Sequence, residues 1–326
     1  MSSVFNVGFW SYVGVIAGIY GILSYSLQLQ FGYCGLLNFG QVAFMAMSGY
    51  TMAILVVRLH IDLWAAGGIS LVVAGLFGVL MGIPTLRLRA DYFAIVTIAV
   101  GEIVDYLANN WSSLTGGALG TLNLLGPTNA TTYDSSWQAL EDDVQGWFAH
   151  LLGSAATTTV ATMAVVWVIF AVVAGCVAFL ARSPWGRVLQ AIRDDEDAAA
   201  AIGKDVFRYK LQVLAVGGVI AGLAGVLYAF QAATIGPSDF DPTITFYAWT
   251  ILILGGATRV IAVPVAAVVF GILYGGVLFF TFPPFSWFNS AQRSYLQLMI
   301  VGVALVVLIR LRPQGLLGRR EEALIG

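Results

Sequence analysis

Charge is what this chain has least of. Its 326 residues include 15 lysines and arginines and 17 aspartates and glutamates, together 10% of the sequence, where soluble globular domains carry about 25%. Hydrophobic residues reach 59% and mean hydropathy is +0.87, more apolar surface than a water-soluble fold can hide. The chain therefore reads as an integral membrane protein. Its net charge of −2, with no basic patch carrying interleaved aromatics, excludes nucleic acid as a partner. Cysteine is nearly absent too. Cys34 and Cys176 each lie inside an apolar run and read as buried, inert thiols rather than a disulfide or redox pair. Histidine is limited to His60 and His150, both near the outer ends of apolar segments, so no metal site is expected. No Gly-Lys-Ser/Thr triplet occurs, which removes a phosphate-binding loop and ATP hydrolysis by this chain. No nucleophile–base pair stands out either. The expectation is a protein with no catalytic residue, metal or cofactor of its own.

What is present is length without charge. No charged residue occurs from Met1 to Val57, too long a stretch for the ~20 residues that cross a bilayer, and Phe31-Gly-Tyr-Cys-Gly35 divides it into two. The N-terminus lacks the basic flank of a cleavable signal, so its first apolar segment is expected to remain as a span. Spans are expected at about 9–30, 36–57, 63–86, 91–109, 155–181, 208–232, 243–258, 260–282 and 294–310, within a range of eight to ten. This predicts an all-α, polytopic transmembrane helical bundle forming one domain over 1–326. Placing the tail 311–326 in the cytoplasm brings Arg87, Arg89, Arg182, Arg187, Arg193, Lys204, Arg208, Lys210 and Arg259 to the same side, leaving Arg58 and Arg293 outside, as the positive-inside rule requires. The polar stretch 126–146 then reads as an external loop. Gly14-Val-Ile-Ala-Gly18 and Gly218-Val-Ile-Ala-Gly222 repeat weakly; small-residue packing faces account for them at least as well as an inverted repeat does.

One inner segment, about 182–210, is conspicuously polar. Ser183 can cap a helix, Pro184 fits its first position, and Gly203 suits its left-handed end, so 183–203 is expected to form a capped helix exposed on the inner side. The run Asp194-Asp195-Glu196-Asp197 could hold Mg²⁺ and a diphosphate only with a second acidic cluster. The other inner loops offer only Asp91 and Glu321-Glu322.

Four stretches together resemble the permeases of ABC importers, specifically the branched-chain amino acid (LivM-type) permease family. They are Phe31 to Tyr50, containing Asn38-Phe-Gly-Gln41; Pro84-Thr-Leu-Arg87 to Gly101-Glu-Ile103 with Thr115-Gly116-Gly117; 182–210, ending Phe207-Arg-Tyr-Lys-Leu211; and Leu254-Gly-Gly256 with Arg310-Leu-Arg-Pro-Gln-Gly-Leu-Leu317. The resemblance implies a non-catalytic permease subunit in the bacterial inner membrane, surrounded by lipid, with its C-terminus cytoplasmic. ATP hydrolysis would lie on separate ATP-binding cassette subunits, a second homologous permease would complete the pore, and an extracytoplasmic binding protein would deliver substrate. It further implies an ATPase-docking surface made by Ser183, Gly186, Arg187, Arg193, Glu196, Asp197, Ala198, Ala199 and Gly203. Gln41, Thr97, Glu102, Thr115, Gly116 and Gly117 would lie along the substrate pathway. Three departures touch substrate identity: Gln41 where histidine is frequent, Ala118-Leu-Gly120 after the paired glycines, and Ala262-Val263 before Pro264. Urea or a short-chain amide is the alternative cargo. A self-sufficient secondary transporter would need ionisable residues in several spans, whereas Glu102 and Asp105 stand almost alone.

Overall fold

The computed structural model describes residues 7–121, 135–152, 157–232, 234–279, 289–311 and 314–317. The described residues form thirteen α-helices and no strand. In chain order these are α1 (Val7–Leu27), α2 (Gln41–Leu59), α3 (Leu63–Thr85), α4 (Ala90–Asn110), α5 (Ser112–Thr115), α6 (Ser135–Leu152) and α7 (Thr158–Arg182), followed by α8 (Pro184–Asp194), α9 (Glu196–Ala201), α10 (Val206–Ala232), α11 (Thr243–Gly255), α12 (Ala262–Phe279) and α13 (Ser290–Leu311). Five of them, α1 with its π-helical extension to Gly32, α2, α3, α7 and α10, are long and apolar enough to cross a membrane. That alone makes the protein multi-pass.

Helices α1 and α10 form the centre. α1 packs against α7, α10, α11 and α12, while α10 packs against α2 and α3. Small residues set the closeness of these contacts. A Cβ on Gly225 of α10 would overlap the Met45 carbonyl oxygen of α2, so the two backbones touch. The two Gly-Val-Ile-Ala-Gly stretches fall on α1 and α10, where Gly18 faces Val166 of α7 and Gly222 faces Ala74 and Ser48. Each serves as a packing face, which is how helices associate where lipid gives no hydrophobic drive.

Two expectations need correcting. The segment 243–258 was read as a span. Its helix α11 has 13 residues, about 20 Å at 1.5 Å per residue, short of the ~30 Å hydrocarbon core. It is instead a buried half-helix whose last carbonyls are satisfied from elsewhere: Leu316 N–H donates to Leu254 O at 2.8 Å and Leu317 N–H to Gly255 O at 3.1 Å. The stretch 126–146 is likewise not a loop throughout. From Ser135 it is the amphipathic α6, with Trp137 buried 4.9 Å from the Phe230 ring and Glu141 buried and accepting a hydrogen bond from Thr162. The inward positions 137, 140, 141 and 144 follow helical spacing. Residues 122–134 lie outside the described residues.

A Gly225→Leu substitution should force α2 and α10 apart. Overpacking of this kind costs about 1–3 kcal/mol or more, and is expected to lower the melting temperature of the detergent-solubilised protein followed by size-exclusion chromatography. Gly146→Leu on α6, where an added Cβ meets open space, should leave it unchanged.

Candidate functional site

The polar inner segment is built as expected at both ends and differently in the middle. Ser183 Oγ accepts from Gly186 N–H at 3.2 Å, and Pro184 occupies the first helical position. At the far end Gly203 has φ +83°. Its N–H donates to Ala200 O at 2.9 Å and Lys204 N–H donates to Ala199 O at 3.2 Å, the paired bonds of a Schellman ending. Between them the single expected helix is broken into α8 and α9. Asp195 is extended, and its carboxylate accepts from Ala198 N–H at 2.9 Å. Its side chain caps a new helix instead of continuing the old one, the competition that makes aspartate unfavourable inside helices.

Not every residue expected on this surface is exposed. Gly186 is buried in the tight turn out of α7, where a Cβ would overlap the Leu180 carbonyl. Ala199 is only 2% exposed and faces inward, so Ala198 and Ala200 supply the small outer positions. Arg193 also turns inward: Nη1 donates to Gly32 O at 2.7 Å, while its other nitrogens hold Asp194 at 2.9 and 3.1 Å. Arg187, Glu196, Asp197 and Gly203 are exposed, with Glu196 paired to Lys210. Sequence reasoning missed Ile202, which caps α9 and is 73% exposed. An isolated large apolar residue between Ala201 and Gly203 in a polar loop was the available signal.

Arg193 leads directly to the interior. Gly32, whose carbonyl it holds, ends the π-helical stretch Gln28–Gly32. Beyond it the chain runs irregularly to α2 through the bundle, where every backbone group needs a protein partner. A knot of buried amides provides them. Gln30 Oε1 accepts from Asn38 Nδ2 and from Gln41 Nε2, each at 2.8 Å. Ser26 Oγ donates to Gly217 O at 2.7 Å and lies 3.1 Å from Gln41 Oε1 and 3.3 Å from Gln30 Nε2. Asn38 Oδ1 takes the Gly40 N–H at 2.8 Å, and the Asn38 carbonyl takes the Trp249 indole N–H at 3.1 Å. Two backbone amides at the start of α2 are met from other helices. Phe39 N–H donates to Thr97 Oγ1 of α4 and Val42 N–H to Thr245 Oγ1 of α11, both at 3.0 Å. Gln41 and Thr97 are fully buried; they hold the wall together and do not line an open space. Nearby Gln28 is also fully buried, with neither amide atom bonded among the described residues.

The remaining pathway residues are spread apart. α4 buries Phe93, Thr97, Gly101 and Ala108 and turns Glu102 outward among exposed Ile95, Ile98, Ile103 and Tyr106. Asp105 accepts from Asn109 Nδ2 at 3.1 Å. Thr115 Oγ1 donates to Ala108 O at 2.7 Å and is also placed 2.8 Å from Trp111 O. Gly116 (φ +86°), Gly117 (φ +68°) and Gly120 (φ +59°) then bend the chain back. Thr121 and Ile235 exchange two bonds of 2.8 Å, tying this turn to the Pro237–Phe240 turn. Together the two turns cap one end of the α2–α4 seam, which encloses a cavity of only about 10 Å³ beside Tyr50 and Asp105.

Gln30→Leu removes the shared acceptor and strands the Asn38 and Gln41 amides. Each buried donor left unpaired costs about 1–3 kcal/mol, so a clear drop in melting temperature is expected. Gln30→Glu, which keeps an acceptor oxygen at the Oε1 position, should lose less. Gly203→Val should leave folding intact, since a Cβ there meets open space. It should unwind the end of α9, seen as faster amide exchange confined to 199–204.

Comparison with known proteins places the chain in a family. The family model described as "Branched-chain amino acid transport system / permease component" matches residues 10–309. The "High-affinity branched-chain amino acid transport system permease protein LivM" of Escherichia coli is 30% identical over 311 residues, covering 94% of this chain and 69% of its own length. The LivM protein of Salmonella typhimurium matches to the same extent. A "Probable branched-chain amino acid transport permease protein LivM" of Methanocaldococcus jannaschii is 22% identical over 345 residues, 92% of this chain and 90% of the relative. Matched along nearly its whole length by that family model, this multi-pass chain belongs to the permease components of branched-chain amino acid transport systems.

Proposed function

We propose that this protein is the membrane-spanning subunit of an ATP-driven importer, carrying branched-chain amino acids across the bacterial inner membrane. ATP hydrolysis is assigned to a separate cassette ATPase. The observation that carries this reading is the α8–α9 pair: a doubly capped polar element held rigidly on one side of an otherwise apolar bundle. The exposed Arg187, Ala198 and Ile202 suit a protein surface. Ile202 offers a small apolar anchor, and the charges around it set register. With this loop and the C-terminal tail in the cytoplasm, Thr115–Gly120 and Pro237–Phe240 face outward, toward a substrate-binding protein. The exposed face of α4, with Glu102 set among isoleucines, is assigned to a second, homologous permease. An acid in such a face needs a partner or a cavity.

The shortage of ionisable groups in the spans supports dependence on ATP rather than on an ion gradient. Uptake of radiolabelled leucine into vesicles holding the full complex should continue with ATP when the proton gradient is collapsed. Loss of uptake there would reassign the protein to secondary transport, and stronger competition by urea than by valine would reassign its cargo. Ile202→Asp should reduce co-purification of the ATPase without lowering the yield of permease. Glu102→Gln should lower the maximal uptake rate while shifting the half-saturating concentration by less than about twofold, because affinity is set by the binding protein.

A further inference from the structure

A cavity lies on the α8–α9 side, on the face of these helices turned toward the bundle. It measures about 560 Å³, within the ~300–1,000 Å³ typical of small-molecule sites. One wall is the turn between α3 and α4, with Arg87 and Arg89. Asp194 to Asp197 and the apolar Leu36, Leu37 and Phe93 also line the cavity. Much of the charge around it is already neutralised. Asp194 is held by Arg193, Glu196 by Lys210, and Asp195 caps α9. Arg87, Arg89 and Asp197 have no side-chain partner among the described residues. The cavity lining therefore includes two spare cations, a spare carboxylate and apolar side chains.

That pattern restricts the ligand. An inorganic anion would meet the acidic wall, and a simple cation would meet the two guanidiniums. A molecule bearing both charges with an aliphatic side chain satisfies all three surfaces, and guanidinium–carboxylate pairs give the stronger anchor. We propose that this cavity is a cytoplasm-side binding site for a free aliphatic α-amino acid, with its carboxylate at Arg87 and Arg89, its ammonium at Asp197, and its side chain against Leu36, Leu37 and Phe93. The site rests on the orientation and substrate class proposed above, which put it on the side to which the product of import is released. It also joins the 33–37 segment, next to the amide knot, to the coupling helices. An occupant would hold these two parts in their present arrangement. Accumulated product should then slow further import.

The test uses the full permease–ATPase complex in lipid nanodiscs, without binding protein, and measures equilibrium binding of radiolabelled L-leucine. Saturable binding is expected, weakened about tenfold or more, the equivalent of one lost charge-assisted contact, in the Arg87→Ala/Arg89→Ala double variant. Asp197→Asn should weaken it separately. Neither leucinamide, which lacks the carboxylate, nor isovalerate, which lacks the ammonium, should compete. Absence of saturable binding, equal binding by the double variant, or competition by leucinamide matching that of leucine would each overturn the site. So would binding seen only after the ATPase is stripped off, because the cavity would then be a docking cleft. Proteoliposomes of the same complex, supplied with binding protein and ATP, separate this inference from the reading beneath it. Leucine uptake without nanodisc binding rejects the site alone, and failure to take up any branched-chain amino acid rejects the transport reading.

Discussion

One side-chain oxygen organises the interior of this protein. Gln30 Oε1 accepts from Asn38 and Gln41 together, and through them the chain can leave α1, run irregularly through the bundle, and begin α2. A membrane interior allows such a break only when protein groups replace the missing helical bonds. The replacements come from Ser26 of α1, Thr97 of α4, Thr245 and Trp249 of α11, and the Gly217 carbonyl of α10. Four other helices are thereby committed to the start of α2. This explains why α11 is present although it is too short to cross a bilayer: it supplies two polar groups to that junction, and its own end is closed by Leu316 and Leu317.

The knot also gives the inner loop a mechanical connection. Arg193 is bonded to the last carbonyl of the π-helical stretch, two residues from Gln30. By contrast α4 touches the bundle mainly through small residues and Phe93, and its other face is exposed.

Much of this was legible in the chain. Charge-free runs located the helices, because nothing else can bury so many apolar residues in lipid, and each expected segment overlaps one. Ser183, Pro184 and Gly203 marked their helix ends because capping depends on a few adjacent residues. Asp195 broke the element between them, and here a propensity for helix lost to a side chain able to cap a new one. Trp137 and Glu141 were hidden within an acidic stretch, since average polarity masks the spacing that makes α6 amphipathic. Gln41 and Thr97 were singled out as pathway residues. Their burial could not be read from sequence, because it depends on which elements meet: Gln41 bonds Gln30 across the irregular segment, and Thr97 of α4 bonds the Phe39 amide.

By itself, then, the sequence determined the class of the protein, the positions of its helices and the caps of its inner loop, all of which depend on residues within a turn or two of one another or on bulk transfer from water to lipid. The tertiary structure alone decided which polar residues are structural and which are available. Gln30, Asn38, Gln41, Thr97 and Arg193 spend their hydrogen bonds inside the fold, while Arg87, Arg89, Asp197 and Ile202 are left facing outward. That division follows from which helices meet, and the meeting is set by side-chain packing between segments far apart in the chain.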